Sequence, residues 1–355
     1  MKSLLSFIIT MGLLIIVLPQ AHAQENPNFY LAENGVTIKC PDAEVGETGE
    51  INGIVYTKRT REEITTENAS TTCTSGITDM SYLFGTQTAG INSLYEEFKQ
   101  IHVEKQKITS EYITDPDLHS LFTEYVIELK SSKSNKVNFN EDISSWDVSD
   151  VTTMEGMFRN VAFNQPIENW DVSNVTNMFR MFRDSAFNQS LDSWDVSNVT
   201  NMGGMFVRTP FNQPLGNWNV GNVTNMVGLF VSSQFNQPIN TWDVSNVTNM
   251  SEMFIDTPFN QPVEDWDVSN VTNSSFMFTM TPFNQPIGEW NVGNIINMIS
   301  MFSISDFNQP IENWDVSNVT VMSNLFRNTP FNQPIENWDV SNVTVMSNLF
   351  RNTPF

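Results

Sequence analysis

The 24 residues Phe331–Pro354, FNQPIENWDVSNVTVMSNLFRNTP, repeat Phe307–Pro330 letter for letter. Earlier copies of the same pattern begin at 24-residue steps back to Phe139. A fixed period of this length is the signature of a stacked-repeat architecture. The nine tryptophans of the chain confirm the register: they are Trp146, Trp170, Trp194, Trp218, Trp242, Trp266, Trp290, Trp314 and Trp338.

One unit, Phe163–Ala186, shows what each repeat is expected to form. Phe163–Pro166 reads as a turn, since proline fixes φ and donates no hydrogen bond. Trp170–Val172 alternates apolar and polar residues, which is typical of a half-buried strand. The apolar residues between Val175 and Phe182 have the spacing of one helix face, so a short helix is predicted there. Stacking such units would place their strands in one parallel sheet.

A row of aspartates, each followed by serine two residues later, is the candidate binding surface. It could present a cation or ligand site on the outer face, or each aspartate could serve only as a local turn acceptor. Asn219 and Asn291 replace the aspartate in two units, and glycine then replaces the serine. Duplication of a 72-residue block or a direct Asp–Ser hydrogen bond would explain this pairing. The candidate residues are Asp171, Ser173, Asp195, Ser197, Asp243, Ser245, Asp267, Ser269, Asp315 and Ser317.

The asparagine that follows phenylalanine at the start of every unit, from Asn140 to Asn332, is a second repeated feature. Stacked asparagines can form hydrogen bonds from unit to unit and satisfy the turn backbone. The sequence therefore predicts an asparagine ladder along the array.

Residues 1–23 read as a secretory signal peptide. Lys2 is followed by an apolar run and by the small-x-small site Ala21-His22-Ala23. The alternative is a membrane anchor, but the run is short for a membrane span and Pro19 ends it. We expect cleavage near Ala23 and a mature chain that is secreted or held at the cell surface.

The rest of the chain divides into three parts. Residues 24–84 are predicted to form a β-rich N-terminal cap that ends in a divergent repeat, Ile77–Phe84. Residues 85–138 are predicted to form a helical insertion and linker, although two eroded repeats would need nearly the same length. Residues 139–355 contain the nine repeats. Because the last unit resembles the interior ones, we expect the array to be open at its C-terminal end and either to continue or to associate there.

Cys40 and Cys73 are the two cysteines of the chain. In an exported protein, two such cysteines more often pair than stay free, so a disulfide within the cap is predicted. A zinc site is a poor alternative because the mature chain has only His102 and His119 as imidazole ligands.

Charge and residue types exclude several function classes. A net charge of −23 argues against nucleic-acid binding and against adhesion to an anionic membrane. After Lys136 the chain has no lysine, histidine or cysteine, and its paired carboxylates recur in most units rather than once, which argues against a catalytic site in the array. The tryptophans could stack on sugar rings, but their alternation in phase with valine favours core packing. We expect no enzymatic activity, no metal and no cofactor.

The FNQPIENWDVSNVTNM-type repeats, together with GVTIKCPDAEVGETGEINGIVYT at Gly35–Thr57, resemble the BspA-like leucine-rich-repeat surface proteins of bacteria. The resemblance implies an α/β, leucine-rich-repeat-like solenoid of strand–short-helix units preceded by a small β-rich cap. It also implies adhesion or recognition, with a protein or glycan on another cell or matrix as the partner. One departure is Val175, which stands where leucine-rich repeats carry their ladder asparagine. A glycan-binding or glycan-acting solenoid and a structural spacer are the alternative functions.

Overall fold

The computed structural model describes residues 26–86 and 136–355. The predicted signal peptide, residues 1–23, lies outside the described residues, and so does nearly all of the predicted helical insertion, residues 85–138.

The N-terminal part carries the strands of the described chain. The elements are β1 Tyr30–Leu31, β2 Ile38–Lys39, β3 Thr48–Ile51, β4 Ile54–Lys58 and β5 Thr72–Cys73, with 3-10 helices at Arg61–Glu63 and Ala69–Thr71. The strands form an antiparallel pair β1–β2 and a sheet of order β3-β4-β5, in which β4 and β5 are parallel. Asn52 and Gly53 join β3 to β4 with φ values of 53° and 81°, as the two central residues of a type I′ hairpin require.

A small core holds these strands together. Phe29, Ile38 and Tyr56 pack around Cys40 and Cys73, which are joined by a disulfide. The disulfide closes a sequence separation of 33 residues, for which the chain-entropy estimate of stabilisation is about 3–4 kcal/mol.

The 24-residue repeats are confirmed as a periodic, mostly non-helical structure, but their predicted elements are wrong in detail. In the described residues 136–355, the chain forms turns and isolated parallel bridges, with no helix and no strand of two or more residues. The bridges join positions one unit apart, for example Thr153 to Asn177 and Asn177 to Asn201. The predicted strand Trp170–Val172 precedes this bridge position and is not paired in a ladder.

The predicted helix at Val175–Phe182 is replaced by successive β-turns. Arg180 and Asp184 have φ values of 57° and 62°, which a right-handed helix does not allow. The Met181 N–H donates to the Met178 carbonyl at 3.1 Å, and the Arg183 N–H donates to the Arg180 carbonyl at 3.1 Å. These bonds span three residues, so they close turns rather than α-helical rings.

Alternate N–H groups from Met178 to Asp184 bond to the next unit. The N–H groups of Met178, Arg180, Phe182 and Asp184 donate to carbonyls 23 residues later at 2.8–3.0 Å. The Thr176 N–H points the other way and donates to the Thr152 carbonyl of the preceding unit at 2.9 Å. Each unit is therefore held by its neighbours on both sides, because it cannot satisfy its own backbone alone.

The core is a continuous stack of aromatic and aliphatic side chains. Trp146 and Trp170 lie 6.2 Å apart with planes tilted by 6°, and Phe158 lies 4.0 Å from Phe163. Each interior indole Nε1 donates to a carbonyl of the preceding unit, as Trp170 does to Ile143 at 3.2 Å. The tryptophans are buried, as the alternation with valine predicts, and their polar atom is satisfied in that position.

The asparagine ladder predicted from Asn140 to Asn332 is present. Each Oδ1 from Asn140 to Asn308 accepts the backbone N–H of the asparagine one unit later, at 2.7–3.0 Å. The following glutamine also donates to the same asparagine in several units, as Gln261 does to Asn236 at 3.0 Å. The ladder supplies acceptors for backbone groups that the bridges leave unpaired.

Residues 77–86 bond to the first repeat as one more unit would. The N–H groups of Met80, Tyr82, Phe84 and Thr86 donate to carbonyls of residues 153–159 at 2.7–3.2 Å. The strand part of the cap also contacts the first repeat, since the Ile38 N–H donates to the Ser145 carbonyl at 2.8 Å.

The last repeat is the least covered part of the array. Trp338 is 8% exposed, against 3% for Trp314, and Val340, Met346 and Phe355 are exposed. Ile335, Val343 and Phe350 are only partly buried. The core side chains of this unit pack on one side only.

Candidate functional site

The outer face of the array is built by the residues between each tryptophan and the bridge position. Trp170 and Val172 are buried, and Asp171 between them is exposed. The chain then turns, with the Val175 N–H donating to the Val172 carbonyl at 2.9 Å. The polar side chains of this short turn therefore face solvent, and the same arrangement recurs in the following units.

The predicted aspartate and serine row lies on this face. Every predicted aspartate is exposed and every predicted serine is half-buried. The Asp171 Oδ1 accepts the Ser173 N–H at 3.2 Å and the Ser173 hydroxyl at 2.6 Å. In the other four pairs the serine N–H donates to the aspartate Oδ1 at 3.0 Å. Each aspartate is thus a turn acceptor, which was one of the two interpretations of the row.

These local hydrogen bonds lower the pKa of four of the carboxylates. The Ser197 hydroxyl and its N–H hold the pKa of Asp195 below its usual value, and the Ser245 groups do the same for Asp243. The pKa values of Asp267 and Asp315 are lowered in the same way, by Ser269 and Ser317, with a smaller opposing effect from a neighbouring aspartate. The face therefore carries fixed negative charge at neutral pH.

Asn219 and Asn291 support the hydrogen-bond explanation of the co-varying positions. The Asn219 Oδ1 accepts the Gly221 N–H at 3.2 Å, so the neutral amide preserves the turn. A Cβ added to Gly221 would lie 3.3 Å from that same oxygen, which is tighter than ordinary van der Waals contact. The fold requires the acceptor at this position but not its charge.

Two further columns on this face were not among the predicted site residues. The Asn174 Nδ2 donates to the Ser149 carbonyl at 2.7 Å, and the Thr176 hydroxyl donates to the Thr152 carbonyl at 3.2 Å. Both side chains are exposed, and equivalent bonds recur along the array. The sequence did contain a signal for these two columns, because the asparagine and threonine recur together as N-x-Thr sequons. In this geometry the sequon asparagine is an inter-unit link.

A charged cluster occupies the turn segment on another side of the first repeats. Arg208 donates to both carboxylate oxygens of Asp184, at 2.5 and 2.7 Å. Burial would raise the pKa of Asp184, but the charges of Arg208 and Arg183 lower it overall. Burial lowers the pKa of Lys136, whose Nζ donates to the Ser185 carbonyl at 3.0 Å. This cluster holds the return loops together through the ion pair and the Lys136 hydrogen bond.

Within residues 26–86 and 136–355, no group of three or more His, Cys, Asp or Glu side chains is arranged to hold a metal ion. The helices of this part are also too short to cross a membrane.

Comparison with known proteins gives one family. The family model described as "Mycoplasma protein of unknown function, DUF285" matches residues 92–210, 185–282, 207–306 and 279–355. No curated protein matches the chain. No solved structure matches it either. The overlapping matches follow the repeats and fit the BspA-like resemblance without naming a member. Because they cover far more than half of its length, the chain belongs to the DUF285 family.

Proposed function

We propose that this protein is an exported or cell-surface repeat protein that binds a protein or glycan on another cell or matrix without catalysis. The observation that supports this proposal is the outer face, where the Asp, Ser, Asn and Thr columns recur from unit to unit with the same hydrogen bonds. A face that repeats from unit to unit favours a ligand that contacts several units at once. Binding spread in this way gains from multivalency rather than from one deep pocket.

The residue chemistry supports recognition over catalysis. The array after Lys136 has no lysine, histidine or cysteine, and serine hydroxyl and N–H groups lower the pKa of the face aspartates Asp195 and Asp243. A carboxylate that stays ionised and recurs in equivalent surroundings is a poor general acid. The same negative charge disfavours a nucleic-acid partner. The proposed activity needs no metal and no cofactor.

The proposal includes a specific architecture. The parallel bridges run from Asp79 to Val345 at one position per unit, which supports a leucine-rich-repeat-like solenoid with its units stacked in one direction. In that arrangement the Asp, Ser, Asn and Thr columns would form one extended strip. A small-angle scattering profile of an elongated particle is expected, and a compact spherical profile would contradict it.

Export is tested through the N-terminus. We propose that residues 1–23 are removed during export, so the mature chain starts at Gln24. N-terminal sequencing of protein recovered from the medium or the cell surface should give QENPNF. Recovery of the chain only from the cytoplasm, with Met1 retained, would contradict export.

Binding is tested with substitutions that the fold already tolerates. Asp171, Asp195 and Asp243 are changed together to asparagine, the residue that two natural units carry at this position. The matched control changes the exposed Glu168, Glu264 and Glu289 to glutamine, which removes the same charge elsewhere.

Both variants and the unchanged protein are screened against matrix proteins and a glycan array at two salt concentrations. We expect an interaction that the aspartate variant loses and the glutamate variant keeps. Equal retention in both variants would move the site off this face. If the protein turned over a glycan, and one carboxylate substitution abolished that turnover, the function would be catalysis and not recognition.

A further inference from the structure

A cavity of about 370 Å³ lies where the N-terminal cap meets the stacked units. One wall is formed by the end of β4 and the 3-10 helix after it, with Lys58, Arg59 and Arg61. The opposite wall is the backbone of residues 75–79. The lining contains none of the aspartates or serines of the predicted row, and the role argued for it does not depend on the function proposed for that face.

The backbone wall is an unpaired edge. The column of parallel bridges begins at Asp79, which pairs with Thr153 on one side. On that side the Thr152 N–H donates to the Thr78 carbonyl at 2.9 Å, and the Met80 N–H donates to the Thr153 carbonyl at 3.0 Å. On the other side, within the described residues, the Thr78 N–H has no acceptor and the Asp79 carbonyl has no donor. These two groups are what a further parallel strand would pair with.

Thr78 and Asp79 are exposed, so the edge is open to solvent and to a partner. The Asp79 carboxylate is turned toward its own chain, where Oδ1 accepts the Ser81 N–H at 2.7 Å. An open edge with a free donor and acceptor is a template for an added strand.

The facing wall is positively charged. Three of the four Lys and Arg residues between positions 26 and 86 line this cavity, although the chain as a whole has a net charge of −23. Glu62 and Asp79 are the acidic residues of the lining, so the lining has an excess of one positive charge.

The three cations lack carboxylate partners in the described chain. Lys58 Nζ donates to the Cys40 carbonyl at 2.7 Å, and Arg59 donates to the Thr71 carbonyl at 3.1 Å. Arg61 donates to the Ser81 carbonyl, while its Nε is buried without a hydrogen-bond partner. The guanidinium of Arg61 therefore has a donor without a hydrogen-bond partner among the described residues.

From this geometry we propose that the cavity binds an extended acidic peptide segment as an added parallel strand. One residue of the peptide accepts the Thr78 N–H, and the residue two positions later donates to the Asp79 carbonyl. Carboxylate side chains of the peptide face Lys58, Arg59 and Arg61, with Arg61 Nε as one donor. Main-chain pairing supplies affinity in this mode, and the side-chain charges select the sequence.

The direct test uses a fluorescein-labelled peptide, EVTEVTE, and fluorescence anisotropy with the full exported chain. Binding is expected, and it should weaken as salt is raised because the attraction is electrostatic. The neutral peptide QVTQVTQ is the control for charge. Two versions of EVTEVTE with N-methyl groups on the odd or on the even backbone amides are the controls for strand pairing, and one of them should lose binding.

Protein variants locate the site. Arg61→Gln should weaken binding about tenfold, the loss expected for one charge-assisted hydrogen bond. Val45→Lys adds a cation at an exposed residue of the lining and removes no polar contact, so it should tighten binding. Arg351→Gln, in the last repeat and far along the chain, is the matched charge control and should leave binding unchanged. Thermal unfolding of each variant shows whether it is folded.

Three outcomes would overturn the proposal. The first is no binding of EVTEVTE to the unchanged protein. The second is equal binding of both methylated peptides together with full displacement by inorganic phosphate, which would make the cavity a simple anion site. The third is a Val45→Lys variant that folds and binds no more tightly than the unchanged protein.

Discussion

Some positions in each repeat have a positive φ, a backbone conformation that residues other than glycine rarely adopt. The position of Arg180 has positive φ in successive units, where the chain carries residues as different as Gly204, Glu252 and Phe276. For a residue with a Cβ, this conformation costs roughly 1–2 kcal/mol relative to glycine. The inter-unit hydrogen bonds of the turn compensate for that cost, so the position is fixed by its neighbours rather than by its own preference.

Glycine at this position should therefore be measurably better than alanine. Gly228 has a φ of 61°, and an added Cβ would lie 3.3 Å from a methyl group of Val231. We expect Gly228→Ala to lower the free energy of unfolding by about 1 kcal/mol, measured by urea denaturation. Gly216→Ala is the control, because its Cβ would meet nothing closer than 3.6 Å. An equal loss in both variants would show that backbone conformation is not the cause.

Ser274 interrupts a column of methionines. Met250 and Met298 are buried one unit away on either side, and Ser274 is buried in the same place with its hydroxyl 3.4 Å from the Asn297 carbonyl. Ser274→Met should raise the free energy of unfolding by about 1–3 kcal/mol, the usual effect of restoring a large core side chain.

The reverse change, Met298→Ser, is the matched control for Ser274→Met and should lower the free energy of unfolding by a similar amount. A Ser274→Met variant that is no more stable than the unchanged protein would mean that neighbouring side chains already fill the space.

At the scale of elements, the cap and the first repeat are joined by a buried polar cluster. Asp147 is buried and lies 3.2 Å from the Lys39 ammonium, and it accepts the Ser75 hydroxyl at 2.5 Å. Ser75 also accepts the Cys40 N–H at 2.9 Å. Asp147 occupies the first position of the aspartate row, so one position of the repeat serves as a surface residue in most units and as a junction residue here.

Acid should loosen this junction. Burial raises the pKa of Asp147, but hydrogen bonds from Ser75 and Ser149 and the charge of Lys39 lower it overall. A carboxyl with a depressed folded pKa stabilises the protein above its unfolded pKa, about 3.9, and that contribution is lost as pH falls through the folded value.

We expect the free energy of unfolding to fall from about pH 4 downward, and Asp147→Asn to reduce that dependence while costing stability at pH 7. Urea denaturation at several pH values measures both effects. Asp171→Asn, at an exposed position of the same row, is the control and should keep the dependence. An unchanged pH profile in Asp147→Asn would assign the acid sensitivity to other carboxyl groups.

An element could be predicted from the sequence where its side-chain pattern is specific to one backbone structure. The 24-residue period, the buried tryptophans and the asparagine ladder all follow from residues that recur at one position. The segment from Val175 to Phe182 was predicted as a helix because its apolar residues recur every three or four positions. Successive β-turns closed by three-residue hydrogen bonds bury the same positions, so the pattern cannot separate the two.

The candidate sites show the same limit. The aspartate row was visible because its residues repeat, and the structure places it on an exposed face as turn acceptors. The cavity beside Lys58 and Arg61 was not predicted, because it depends on how the cap meets the edge at Thr78. That contact joins residues with no shared pattern in the sequence.

At the scale of the whole molecule, stability is expected to be a sum over units and their interfaces. In the described array, the backbone bridges join each repeat to the one before and the one after it, at i to i+24. Such arrays lose stability in steps as units are removed, and the remaining units stay folded.

Deleting Phe307–Pro330 tests this additivity, since Phe331–Pro354 has the same sequence and restores every neighbour. We expect a folded chain whose urea m-value is lower by about one tenth, in proportion to the surface that no longer unfolds. Deleting only Phe307–Asn318, half a unit, shifts the register and should disrupt the last repeats. Equal damage from both deletions would contradict a nearest-neighbour array.

The tryptophan stack has an optical consequence. Where consecutive indoles are closest they lie 6.2–6.5 Å apart with planes tilted by only 3–8°. Excitation absorbed by one ring can pass to the next at such separations, and because the rings are nearly parallel the emitted light keeps its polarisation. Trp338, the more exposed ring at 8%, would then receive excitation energy from the rings deeper in the stack. A quencher that reaches Trp338 alone should therefore reduce the fluorescence of those deeper rings as well.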